Sequence, residues 1–287
     1  MTFFQIILLA IVQGLAELLP VSSSAHVVVA EKLMGLNPSS PEMTLLLVML
    51  HTGTMFAVIA YFWRSWVATY FSSRQAFLNF FVRLLWATLL TGIVGEVLKK
   101  IIERTIFHGA PKAEIELLFN RLDLIAPALA AAGLLILIAG IIEKRHSASD
   151  TGPAILSFGQ AAWMGFVQGL ALPFRGFSRS GSTISGGMLV GAAKEQAERF
   201  SFAMAVVLTP AVVALEALRL ERAAHTTQID IKSAVATSIL GMVFSFLAGL
   251  VALRWLSRWL ESGRWYVFGI YCLVAAGFVW FLHLRGL

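Results

Sequence analysis

Val12-Gln13-Gly14-Leu15-Ala16 recurs letter for letter as Val167-Gln168-Gly169-Leu170-Ala171. Each copy lies in an apolar region interrupted by polar residues. The region from Phe3 to Leu36 is broken by Leu19-Pro20-Val21-Ser22-Ser23-Ser24-Ala25-His26. The region from Ile155 to Ala193 is broken by Pro173-Phe174-Arg175-Gly176-Phe177-Ser178-Arg179-Ser180-Gly181-Ser182-Thr183. Gln and Gly within the shared pentapeptide make chance identity a poor account of it, and the same offset, carried on without a gap, sets Ser23 opposite Ser178. A membrane crossing takes about 20 mostly apolar residues, more than either half of each broken region supplies. Non-helical backbone at membrane depth is tolerated only where protein or a wet cavity satisfies it. Both regions therefore read as re-entrant helical hairpins.

Six further segments have the length and apolar character of full crossings: Met43–Trp63, Leu78–Leu98, Ile125–Ile142, Phe200–Leu218, Ala234–Leu253 and Tyr266–Leu282. Three of them lie between the first hairpin and the second. A hairpin leaves on the side it enters, so an odd number of crossings delivers the second to the opposite face. The expected fold is all-α and integral to the membrane, with six transmembrane helices, two re-entrant hairpins and inverted-topology repeats. The repeats divide the single membrane domain into residues 1–143 and 155–287, and such paired interrupted helices point to a shared site near the midplane. Trp63, Trp66, Trp255, Trp259 and Trp265 fall near segment ends, where an interfacial aromatic belt is expected.

Composition agrees. Hydrophobic residues make up 58% of the 287, charged residues 13%, and mean hydropathy is +0.80. A soluble domain carries roughly 25% charged residues, so most of this surface is expected to meet lipid. The formal charge of +6 suits anionic headgroups. Lys and Arg outside the hairpin loops divide evenly between the two sides, so the positive-inside rule does not choose an orientation. The start, Met1-Thr2-Phe3-Phe4-Gln5, has no basic stretch and no small-residue cleavage site follows, so no cleavable signal is expected. Cys272, the single cysteine, excludes an internal disulfide and any cysteine metal cluster.

The polar loops carry the chemistry. Ser22, Ser23 and Ser24 precede Val27-Val28-Val29-Ala30, and Ser178, Ser180, Ser182 and Thr183 precede Ile184-Ser185-Gly186-Gly187. These are helix N-cap positions. Two N-termini aimed at one point would offer backbone N–H groups and positive dipole ends to an anion. Glu17, His26, Arg175 and Arg179 accompany them, and ionisable groups at membrane depth are functional by default. The Arg179 fork suits phosphate oxygens, and pairing with Glu17 is its structural alternative. Gln13 and Glu17, four residues apart, share a helical face and would offer a hard cation such as Mg²⁺ a carboxylate and an amide oxygen. His26 follows Ser23 by three residues, on the same face if the helix has begun. His51, in Leu50-His51-Thr52-Gly53-Thr54, is left open between lining the cavity and bonding to a neighbouring helix; Glu96 and Glu216 are set aside as reaching water.

The two motifs, Gln13-Gly-Leu-Ala-Glu17-Leu-Leu-Pro20-Val-Ser22-Ser23-Ser24-Ala25-His26 and Gly176-Phe-Ser178-Arg179-Ser180-Gly-Ser-Thr183, together with Phe200-Ser201-Phe202, closely resemble the bacterial undecaprenyl-pyrophosphate phosphatases associated with bacitracin resistance. The resemblance covers essentially the whole chain. It implies removal of the terminal phosphate of undecaprenyl pyrophosphate, to recycle the lipid carrier of cell-wall synthesis. It also implies a divalent cation and a multi-pass protein of the bacterial inner membrane whose site faces the periplasm. Three positions depart from the family's pattern: Gln13 stands for a commoner Glu, Arg175 for Pro and Ala25 for a frequent Gly.

The combined expectation is a membrane phosphatase. Glu17, Ser23, His26 and Arg179 would be catalytic; Ser22, Ser24, Ser178, Ser180, Thr183 and Arg175 would bind substrate; Glu17 and Gln13 would hold Mg²⁺. Ser23 activated by His26, His26 itself and activated water all remain open as the nucleophile. The expected partners are the polyprenyl pyrophosphate lipid and the bilayer, with no nucleic acid and with a homodimer in view. A lipid-phosphate flippase or anion transporter using the same midplane site is the rival; it needs cations and N–H groups but no nucleophile beside a base.

Overall fold

A computed structural model of the chain describes residues 1–37, 40–106, 121–146, 156–226, 231–260 and 264–286. Among these the protein is all-helical, with ten α-helices: α1 (Phe3–Leu18), α2 (Ser23–Leu33), α3 (Pro41–Tyr70), α4 (Arg74–Ile106), α5 (Leu122–His146), α6 (Phe158–Ala171), α7 (Arg179–Leu189), α8 (Lys194–Thr226), α9 (Ile231–Leu260) and α10 (Trp265–Leu284). Six of them, α3, α4, α5, α8, α9 and α10, are long and apolar enough to cross a membrane. All six expected segments lie inside these helices, which run past them at both ends. The extensions carry polar and charged residues that an apolar window excludes but that continue a helix without penalty.

The four shorter helices form two pairs, α1 with α2 and α6 with α7, and the halves of each pair touch. Local chemistry starts both pairs alike. Thr2 caps α1 and Ser157 caps α6, and each hydroxyl accepts from the backbone N–H three residues on. In return, Gln5 and Gln160 accept from the cap residues' own N–H groups, at 2.8 and 2.9 Å. This reciprocal capping box stands at the spacing of the repeated pentapeptide, and the sequence reading passed over it.

The gapless register does not persist. Two non-glycine residues, Ser22 and Ser178, adopt a left-handed backbone, with φ of 67° and 50°, each immediately before its helix. Helices α2 and α7 are both 11 residues long, and each is followed by a left-handed glycine, Gly35 or Gly191. The structural counterpart of Ser178 is therefore Ser22, not Ser23, and Ser23 corresponds to Arg179. One residue is gained in the second loop after the pentapeptide.

Packing brings the two loops together. Helix α9 lies against both α1 and α3, α4 against α6, and α5 against α10. A Cβ added at Gly181, in the first turn of α7, would lie 2.8 Å from the Pro20 carbonyl of the first loop. Only glycine permits that approach. Trp63 and Trp255 are exposed, as an interfacial belt requires, but Trp66 and Trp265 are buried. The Trp265 indole N–H donates to Ser185 on α7 at 3.0 Å, so a polar partner inside the protein satisfies it in place of a headgroup. The side chains of Trp259 and Glu216 lie outside the described residues.

Candidate functional site

Glu17 is buried in the last turn of α1, just before the first loop, and four polar groups gather on its carboxylate. Gln13, four residues back on the same face, donates its amide to Oε2 at 3.0 Å. The Ser23 hydroxyl donates to the same oxygen, and His51 Nε2 lies 3.3 Å from it. The Arg179 guanidinium takes the other oxygen, Oε1. Ser23 and Arg179 are the first residues of α2 and α7. The leading residues of the two short helices thus meet on opposite oxygens of one carboxylate.

The backbone around this cluster is held in an uncommon state. A left-handed residue that is not glycine costs about 1–2 kcal/mol, and such residues gather at functional sites. At Ser178 the cost is offset by local bonds: its hydroxyl accepts from the Gly181 N–H at 3.2 Å, and its carbonyl accepts from the Ser182 hydroxyl at 2.7 Å. Ser22 makes no side-chain cap bond. Its hydroxyl lies 3.4 Å from that of Ser24.

A cleft opens onto the cluster. Glu17, His51 and Arg179 line it, with Thr54 on α3, Thr209 on α8 and the Phe202 ring. Of the residues expected at the site, only Glu17 and Arg179 face this cleft. His51, left open by the sequence, is placed in it: its Nδ1 is anchored 2.8 Å from the Leu47 carbonyl, which turns Nε2 toward Glu17. Thr54 was missed. It stands three residues after His51 and so shares its face, the signal that would have found it.

Several expectations are corrected. Ser23 does not pair with His26; its hydroxyl goes to Glu17. The His26 ring is turned away, with Nδ1 2.8 Å from the Ser22 carbonyl and Nε2 2.7 Å from the Tyr271 hydroxyl of α10. Arg175, expected on a distal phosphate, does not line this cleft; its charge favours the ionised form of Glu31, in the last turn of α2, against the larger opposing effect of burial. Glu31 is only 2% exposed, and a buried carboxylate without a counter-charge is strongly disfavoured. Thr183 is fully buried, and its hydroxyl has no partner; it lies within α7, away from the cleft. Ser180 is buried as well.

The donor set bears on a cation. Every donor around Glu17 competes with a metal for its oxygens, and Arg179 has to release Oε1 before a cation can share it. Gln13 Oε1 is a fully buried acceptor with no hydrogen-bond partner. One carboxylate and one orphaned amide oxygen fit a hard cation that draws most of its ligands from phosphate and water. The matching glutamine of the second pair, Gln168, leans instead on Thr91 of α4 at 3.5 Å. Leu172 stands where the pentapeptide's register would repeat Glu17, so the carboxylate belongs to the first helix pair alone.

The profile of the family described as bacitracin resistance protein BacA matches residues 6–278. This chain belongs to that family. It is similar to a protein of Acinetobacter baylyi named undecaprenyl-diphosphatase 2, 53% identical over 283 residues and 97% of each chain. Proteins of the same name from Burkholderia lata and Burkholderia orbicola are 34% and 33% identical over 295 residues, covering 98% of each chain. Membership in the BacA family and six apolar helices of spanning length make this a multi-pass membrane protein.

Proposed function

We propose that this BacA-family protein hydrolyses a long-chain polyprenyl pyrophosphate, undecaprenyl pyrophosphate in the cell, to the monophosphate and phosphate. The observation that carries the reading is the Ser23 hydroxyl donating to Glu17 while Arg179 holds the carboxylate's other oxygen. Nucleophile, base and phosphate-binding cation stand in one cluster, and the names of the relatives supply the substrate class.

In this reading Ser23 Oγ attacks the terminal phosphorus and its proton passes to Glu17. The bond from that phosphorus to the bridging oxygen breaks, and the prenyl monophosphate departs. Water then attacks the phosphoserine, His26 takes up the water's proton, Glu17 returns its own to Ser23, and phosphate leaves. Both His26 nitrogens are engaged by other groups, which favours Ser23 over His26 as nucleophile. Arg179 moves its fork from Glu17 to the phosphoryl oxygens, where charge is spread in the transition state. The N-termini of α2 and α7 add their dipoles. Glu17 and Gln13 Oε1 would hold Mg²⁺, which when bound supplies further charge neutralisation at the phosphates.

The reading includes inverted repeats whose short helix pairs are re-entrant and a site opening to the periplasmic face of the bacterial inner membrane. The shared capping boxes, equal helices and left-handed serines support a repeat. Single cysteines at Leu33 and Val190, at the exposed ends of α2 and α7, should react with an impermeant maleimide from opposite faces in a Cys272→Ala background. Labelling from one face would sink the inverted arrangement.

Phosphate release from a prenyl pyrophosphate in detergent, with and without Mg²⁺, tests the activity. Lipid crossing a liposome membrane without any release would transfer the site to the flippase reading. Arg179 gives a sharper check. Lysine keeps the charge but loses the paired hydrogen bonds, so Arg179→Lys should lower kcat about 100-fold, the scale of losing one oxyanion donor, and Arg179→Ala further. Near-normal kcat in Arg179→Lys would remove the bidentate grip.

A further inference from the structure

His26 is held from two sides. Its Nδ1 lies 2.8 Å from the Ser22 carbonyl oxygen. A carbonyl only accepts, so Nδ1 carries the hydrogen. In the neutral ring Nε2 is then a bare lone pair, and the group 2.7 Å from it is the Tyr271 hydroxyl, which donates. The rings are also nearly parallel, 10° apart with centroids at 5.7 Å. Neither ring nitrogen is open to substrate. Tyr271, by contrast, is 47% exposed on α10.

From this geometry we infer that Tyr271 is a positioning residue of the reaction and the route by which His26 exchanges a proton. The inference rests on the phosphatase reading above, in which His26 takes a proton in the second step. Tyr271 gives its own proton to Nε2 while its oxygen takes one from the attacking water, so the phenol ends unchanged and His26 ends as imidazolium. The bond survives the transfer, because a hydroxyl donates to the neutral ring and accepts from the charged one. A carboxylate or an ammonium at this place would suit one state only. The Ser22 carbonyl is aimed by the left-handed backbone at Ser22, so the strained residue and Tyr271 fix one tautomer between them.

Tyr271→Phe keeps the ring contact and removes the hydroxyl. It should lower kcat about tenfold or more, the scale of losing part of a general acid–base contribution, while KM stays within about threefold, the split expected of an interaction made in the transition state. In a His26→Ala background the same change should have no further effect, because Tyr271 acts only through His26. Imidazole ¹⁵N spectra of the full chain in micelles, with the His26 signals identified by their loss in His26→Ala, should show a single Nδ1–H tautomer that becomes mixed in Tyr271→Phe. A kcat within about twofold of wild type, or an equal loss in the His26→Ala background, would overturn the inference. If the wild-type protein releases no phosphate from prenyl pyrophosphate, the phosphatase reading falls by itself. The spectra then decide the present inference: an unchanged tautomer in Tyr271→Phe ends it, and a mixed one upholds the positioning.

Discussion

Replacing Glu17 by glutamine should abolish nearly all phosphate release, a fall of about 10³-fold or more, beyond what loss of a general base alone costs. Size is not the cause, since the amide has the shape of the carboxylate. Four protein groups converge on these two oxygens: Ser23 and Arg179 donate, Gln13 donates at 3.0 Å, and His51 lies at 3.3 Å. An amide accepts on one side only, so its nitrogen would confront a donor whichever way it turned. Ser23 would lose its base, and the Arg179 side chain, 25% exposed, would lose its counter-charge. The last effect reaches folding as well, because breaking a largely buried pair from one side leaves an uncompensated charge. Thermal unfolding in detergent, run beside the kinetics, separates the two. A folded Glu17→Gln protein with normal Mg²⁺-dependent turnover would remove Glu17 from the chemistry.

Ser23→Ala should be as severe. Its expected loss of kcat, about 10³-fold, corresponds to about 4 kcal/mol of barrier, with KM little changed. The fold has little reason to suffer: Ser23 is the first residue of α2, and the turn rests on the left-handed Ser22 before it. Because Ser23 and Glu17 act as a unit, the double variant should be no worse than the poorer single one, as is usual for residues of one catalytic group. Rapid quenching should trap phosphate on Ser23 in the wild-type protein and none in Ser23→Ala. A variant that keeps kcat within tenfold of wild type would return the nucleophile's role to water.

The arrangement makes the charged loop residues unequal. Arg175 and Arg179 stand four residues apart in the sequence, yet of the two only Arg179 lines the cleft and grips Glu17. A similar division separates the histidines. His51 came from the middle of a span and reached the cleft, whereas His26, beside the serines, faces α10.

What the sequence alone determined follows from patterns with a local cause. Apolar runs of spanning length specify helices wherever backbone groups must be satisfied within lipid, and all six were legible. So were the two interrupted regions, because Pro20, Ser22 and Ser23 or Pro173, Gly176 and Ser178 break an apolar helix by their own chemistry. The motifs picked out Glu17, Ser23 and Arg179 for the same reason: charge and hydroxyl at that depth have no cheap structural use. Only the tertiary structure decided which of these meet. The register slip between Ser23 and Ser178 depended on where each backbone turned left-handed, and spacing does not record that. The pairing of Ser23 with Glu17 in place of His26, and of Tyr271 with His26, joins residues whose separation along the chain carries no distance information. Hydrogen-bond partners at the site are chosen by how α3, α7 and α10 pack around the first loop, and that packing is a property of the whole bundle.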